Sequence, residues 1–110
     1  MTCAEYVEIG ENTAVAANVT ITDINHPYTN VNIPIERNDI EVSPVIIGPD
    51  CKLYNNCVVL PGTKIGKHVT IGANTVVSGS IPDYCVVAGC PAKIIKKYNL
   101  TEGKWEKIDN

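Results

Sequence analysis

Two histidines and five cysteines are the side chains of this 110-residue sequence best suited to chemistry. His26 sits beside Pro27, with Asp23 and Asn25 just before it and Tyr28 just after. An imidazole of pKa about 6.5 is neutral at pH 7 and able to accept a proton, which a general base must do. Such a base is commonly oriented through its second nitrogen. Asp23 and Asn25 are the candidates for that task, and either could instead cap backbone groups and shape a turn. Taken alone, His26 reads more readily as a surface-loop histidine. His68 reads as a solvated corner. Cys51 and Cys57, six residues apart, invite a metal or a disulfide, but zinc would want more ligands at tighter spacing. They read better as small apolar fillers.

The elements that must hold these residues follow a six-residue beat. Ile9, Val15 and Ile21 are spaced by six, and Cys3 extends the series backwards. The beat resumes at Ile47, Leu53, Val59, Ile65, Ile71 and Val77. Four positions after each beat residue stands a small or β-branched one: Thr13, Val19, Cys51, Cys57, Thr63, Val69, Thr75 and Ile81. Gly10, Gly48, Gly66 and Gly72 follow their aliphatic residue directly, as expected where a tight corner excludes a Cβ. Six is neither the period of an ordinary strand nor that of a helix. It predicts a coil of short strands joined by corners, with one aliphatic side chain per strand pointing inward. Valine and isoleucine number 27 against three leucines and no phenylalanine, which suits strands around a narrow interior.

Length allows a single domain, residues 1–110. Residues 22–44 break the beat with prolines, asparagines and charges, and a loop this long in a compact domain is usually functional or disordered. Residues 45–81 carry about two further coils. The open end after Val87 needs a cover. A short helix over Cys90–Tyr98, started by Pro91, is the expected cap, followed by a polar tail over 99–110 in which Trp105 docks on the body. The formal net charge of −3 makes no electrostatic case for nucleic acid or an anionic membrane. The segment Met1–Tyr6 has neither a basic nor an apolar leader region, and no stretch approaches the roughly 18 apolar residues of a membrane span. A cytoplasmic protein is the default expectation. Asn18-Val19-Thr20 and Asn99-Leu100-Thr101 match the glycosylation triplet without a secretory context.

The chain resembles the hexapeptide-repeat acyltransferases, and most closely the sugar and polysaccharide O-acetyltransferases, the maltose and galactoside acetyltransferases among them. Asn18-Val19-Thr20-Ile21-Thr22-Asp23-Ile24-Asn25-His26-Pro27-Tyr28 looks like their active-site segment. Asn32-Ile33-Pro34-Ile35 and Pro44-Val45-Ile46-Ile47-Gly48 resemble their loop exit. Leu60-Pro61-Gly62-Thr63-Lys64-Ile65-Gly66 is similar to their mid-repeat. Ile81-Pro82-Asp83-Tyr84 and Val87-Ala88-Gly89-Cys90-Pro91-Ala92-Lys93 are similar to their closing signature. The resemblance covers residues 7 to 98.

It implies an all-β, left-handed parallel β-helix. The handedness comes from the resemblance alone, because it opposes the usual right-handed crossover. It further implies transfer of an acetyl group from acetyl-CoA to a sugar hydroxyl, in a homotrimer with sites between subunits. His26 would be the base, with Asp23 beside it as a catalytic candidate. Asn25 and Tyr28 would meet the acceptor. Ala73, Ser78, Lys93 and Lys96 match positions that meet the coenzyme, with the lysines as point charges for phosphate. No metal is implied: the γ-class carbonic anhydrases share the fold but use three histidines, and this chain has two. The chain departs from its relatives at Lys52, Tyr54 and Gly79, where they commonly carry donor-site residues, and begins about one coil later. Two other readings stay open: an inactive trimerisation scaffold, and an N-acyltransferase on an amino sugar.

Overall fold

The computed structural model describes residues 3–108; Met1 and Thr2 of the segment Met1–Tyr6, and Asp109 and Asn110 of the tail, lie outside them. The beat becomes a triangular coil. The first turn runs through β1 (Val7–Ile9), β2 (Ala14–Val15) and β3 (Thr20–Ile21). A hairpin of β4 (Ile24–Asn25) and β5 (Glu41–Val42) interrupts it. The second turn is β6 (Val45–Ile47), β7 (Lys52–Leu53) and β8 (Val58–Val59); the third is β9 (Lys64–Ile65), β10 (Thr70–Ile71) and β11 (Val76–Val77). β12 (Ser80–Ile81) and β13 (Cys85–Ala88) open a fourth. β14 (Lys93–Asn99) and β15 (Lys104–Lys107) follow.

Strands one turn apart pair in parallel, so the coil has three flat faces. Face 1 is β1-β6-β9-β12, face 2 carries β2-β7-β10-β13, and face 3 is β3-β8-β11. Register stacks the beat residues on one another: Ile9, Ile47, Ile65 and Ile81 on face 1, Val15, Leu53, Ile71 and Val87 on face 2, and Ile21, Val59 and Val77 on face 3. From Ile21 onward all but Ile81 are buried, with the small residues Cys51, Cys57, Thr63, Val69 and Thr75 filling the corners between them. Ile9 and Val15 keep the beat but stay 39% and 41% exposed. Cys3 does not continue the beat. It lies in no strand, and its thiol points to Asp23.

From Ile9 to Ile81, except after Ile21 and after Val77, where Gly79 serves two positions on, each corner closes through a left-handed residue three positions after its beat residue. On the edge between faces 1 and 2 these are Asn12, Asp50, His68 and Tyr84; between faces 2 and 3, Asn18, Asn56 and Asn74; and Gly62 between faces 3 and 1. Asparagine and aspartate tolerate positive φ better than most residues, so this column is the turn signal that the glycines seemed to carry. Gly10, Gly48 and Gly66 are needed for another reason. A Cβ on Gly48 would lie 2.5 Å from the Gly66 carbonyl oxygen one turn above, and one on Gly10 would lie 2.5 Å from the Gly48 carbonyl carbon. These glycines permit close stacking of turns.

Two expectations are corrected. Ile81 pairs with Ile65 and takes the face-1 beat position itself, because Ser80 aligns with Lys64 after a corner two residues shorter than the others. Residues 90–98 form no helix. β14 turns back antiparallel on β13, and β15 pairs with β14, extending face 2 to six strands. The run Ile94-Ile95 and the turn at Gly103 favour a hairpin. Asn99 braces that turn by accepting the Thr101 and Glu102 N–H groups on its side-chain oxygen, each at 3.0 Å.

Candidate functional site

The interruption at 22–44 leaves the edge between faces 3 and 1, and its root is tightly made. Asp23 has no solvent exposure. Its carboxylate accepts the N–H groups of Ala4 at 2.8 Å, Glu5 at 2.9 Å and Tyr6 at 2.8 Å. These bonds, with that from Ala4 foremost, hold its pKa down to about 2 against the opposing pull of desolvation. The Asp23 carbonyl accepts the Ser43 N–H at 2.8 Å, and the Ser43 carbonyl accepts that of Gly62 at 3.0 Å. Entry, exit and the amino-terminal segment are thus tied together at one residue. Of the two roles open to Asp23, the structure displays the backbone-capping one.

His26 is the first residue beyond β4, where Ile24 and Asn25 pair with Val42 and Glu41. Its side chain is exposed, and no side chain among the described residues hydrogen-bonds to its imidazole. Asn25 and Tyr28 are exposed beside it, Tyr28 at 72%. Beyond them the loop presents Val31 at 89%, with Ile33, Ile35 and Ile40 also exposed. A 3-10 turn over Ile35–Arg37 stiffens its far side.

The other candidate positions divide between places. Ala73 lies on the corner between faces 2 and 3, exposed, next to left-handed Asn74. Lys93 pairs with Ala88, and Ala88 stacks over Gly72, so Lys93 stands on that same edge. Tyr54 occupies this edge one turn below Gly72, with the Lys52 ammonium 5.3 Å from its ring centre. Ser78 lies on the edge of the His26 loop instead, two turns above Thr22. Lys96 lies out on face 2, opposite Val86 and Lys107. Face 3 therefore runs between the edge carrying His26 and the edge carrying Ala73 and Lys93.

Cys51, Cys57 and Cys85 are buried free thiols, their pKa values raised by burial. Among the described residues no group of three His, Cys, Asp or Glu side chains is placed to hold a metal, and no helix is long and apolar enough to cross a membrane. His68 is not a bare corner. It gathers with Tyr84, Tyr98 and Trp105, the last of which docks as the sequence suggested. The sequence reading missed this grouping, because three of the four rings reach the corner only through the returning hairpin and the shortened last turn.

Residues 44–79 match the family model described as bacterial transferase hexapeptide (six repeats). The chain is 50% identical to WbbJ of Escherichia coli K12, a lipopolysaccharide biosynthesis O-acetyl transferase by name, over 94% of this chain and 56% of that protein. It is 35% identical to the galactoside O-acetyltransferase of the same organism, over 84% of this chain and 45% of the relative. It thus spans about half the length of the curated relatives it matches. A solved galactoside acetyltransferase in complex with coenzyme A superposes with a TM-score of 0.78 at 29% identity, covering 94% of this chain and 53% of that one. The coil is the left-handed parallel β-helix that the resemblance implied. Built from hexapeptide turns, the chain carries the repeat of the bacterial transferase hexapeptide model and is similar over most of its own length to acetyltransferases that share it.

Proposed function

We propose that the chain forms the catalytic body of an acetyl-CoA-dependent O-acetyltransferase whose acceptor is a sugar hydroxyl of a surface-polysaccharide precursor. The observation that carries this reading is the placement of His26: exposed at the start of the long loop, on a hairpin whose root is tied down by Asp23. His26 accepts the proton of the acceptor hydroxyl as its oxygen attacks the thioester carbonyl; the new C–O bond forms, the C–S bond breaks, and the proton returns to the departing thiolate. Acetyl-CoA supplies the activated acyl group. The uncharged corner at Ala73 and the Lys93 ammonium on the same edge suit its pantetheine amides and a phosphate. Ser78 and Lys96 lie off that edge and take a lesser part. Asp23 acts as a positioning residue, which leaves Asn25 as the candidate to orient the imidazole and Tyr28 to meet the acceptor.

The site is completed by a second copy. His26 and Lys93 stand on opposite edges of face 3 of one chain, and the loop exposes an apolar set that a neighbour would cover. The outward residues of face 3, Thr20, Val58 and Val76, include no charge, whereas faces 1 and 2 carry Glu8, Lys64, Lys52 and Lys96. A closed ring of three prisms packed through such surfaces is the assembly proposed, working in the cytoplasm, where acetyl-CoA is made.

Acetyl-CoA calorimetry, with light scattering on the same sample, tests the reading. One saturable site per chain in a trimer is expected. His26→Ala should keep binding and assembly and lower turnover by about 10²–10⁴; unchanged turnover would remove His26 from the mechanism. The stacking of Lys52 on Tyr54 at the donor edge favours one rival, an inactive scaffold. A trimer with no coenzyme affinity would establish that rival. An acceptor screen that includes amino sugars separates O- from N-transfer.

A further inference from the structure

The edge between faces 1 and 2 changes character along its length. Its left-handed corner residues begin as Asn12 and Asp50, which hydrogen-bond at 3.3 Å, and end as His68 and Tyr84, at φ 54° and 55°. A ring as large as tyrosine is rarely found at positive φ, and such outliers concentrate at functional positions. The carboxy-terminal hairpin brings two more rings. Tyr84 and Tyr98 lie 6.1 Å apart, Tyr98 and Trp105 meet edge to face at 5.3 Å, and Trp105 lies 6.3 Å from His68 with planes 28° apart. Three of the six aromatic residues of the chain thus gather at one corner, around a cleft of about 240 Å³. Trp105 keeps 41% of its surface exposed.

Beside the rings stands a pair of like charges. Register sets Lys96 directly opposite Lys107, two residues along from Tyr98 opposite Trp105, so all four share one side of the hairpin. Like charges placed directly across a strand pair destabilise it. Both residues are exposed.

We propose that this corner is a second binding site, for an acidic saccharide unit: one sugar ring against the aromatic cleft, its carboxylate on Lys96 and Lys107. The cleft has room for about one ring, and aromatic faces take the C–H side of a sugar. The Tyr84 and Tyr98 hydroxyls, the Trp105 indole N–H and the His68 imidazole supply hydrogen-bonding groups. Two lysines turn that preference toward an anion. The site lies on a different edge from both His26 and Lys93, so it would hold a length of acceptor polymer away from the reacting hydroxyl. The choice of a glycan rests on the sugar-acceptor reading above.

Trp105 is the single tryptophan, so its emission reports on this cleft directly. The chain is titrated with hexagalacturonate, with neutral maltohexaose and with ADP. A saturable change with hexagalacturonate is expected, weakened by salt, and at least about tenfold weaker with the other two ligands. Lys107→Ala should weaken it about tenfold, the worth of one charge-assisted contact, with Lys107→Arg restoring it and His26→Ala leaving it unchanged. No response, an equal response to maltohexaose or ADP, or unchanged affinity in Lys107→Ala would overturn the site. Acidic-glycan binding by a chain that transfers no acetyl group would leave this site standing and remove the catalytic reading. Acetyl transfer without the Trp105 response would remove this site alone.

Discussion

Gly48→Ala tests the stacking of turns most directly. The added methyl would sit 2.5 Å from the Gly66 oxygen and 2.7 Å from the Gly66 carbonyl carbon. Carbon atoms prefer about 3.5–4.0 Å, so the two corners must separate by on the order of 1 Å. Both obstacles are backbone, and no side chain can rotate away. The corner is also bonded on both sides: the Gly48 N–H donates to the Ile65 carbonyl at 2.8 Å, and the Gly48 carbonyl accepts the Thr13 hydroxyl at 2.8 Å. Overpacking costs about 1–3 kcal/mol where side chains can adjust, and separation here strains two hydrogen bonds worth about 1 kcal/mol each. A loss of about 3 kcal/mol or more is expected. Gly72→Ala is the control, because its methyl would meet the Ala88 Cβ at 3.3 Å, a contact that a few tenths of an ångström relieves. It should cost less than about 1 kcal/mol. Urea unfolding at one fixed protein concentration reads both. Equal losses in the two variants, or a Gly48→Ala chain as stable as the parent, would refute the close-approach account.

Asp23 is held at a pKa of about 2 in the fold, below its ordinary 3.8. A depressed carboxylate stabilises the fold above its unfolded pKa, and that contribution is lost as pH falls from about 4 through about 2. Asp23→Asn should therefore flatten the acid limb of stability against pH; an unaltered limb would contradict the anchoring role. Asn56 takes φ 65° at an exposed corner, so Asn56→Ala should cost about 1–2 kcal/mol while Asn56→Gly stays near neutral in thermal melts. Leu53, with no solvent exposure, should cost about 2–5 kcal/mol when cut to alanine.

The repeat was legible because an interior position can be read locally. Each beat residue from Ile47 to Val77 is buried, and each small residue four positions on, from Cys51 to Thr75, fills a corner. The cap was not legible in the same way. Lys93 to Tyr98 carries enough lysine to pass for a helix face, and only pairing with β13 makes it a strand. Ile81 fell on the regular count, yet the turn from Val77 is two residues short, and register on Ile65 decided its place. Asp23 was named early for the base it precedes; its three backbone donors come from residues 17 to 19 positions earlier, which no local pattern reports.

The sequence by itself determined the coil, its interior and the point where the coil is interrupted, because a six-residue period with an inward aliphatic permits few other packings. It also singled out His26 as the loop residue able to take a proton. Tertiary structure decided everything that depends on which turns lie side by side. It set the glycines against the next turn's backbone and the left-handed residues at the corners. It placed Ala73 and Lys93 on one edge and Lys96 away from it, and gathered rings from positions 68 to 105 at a single corner. Those neighbours are up to 38 residues apart in the chain, and only strand register brings them together.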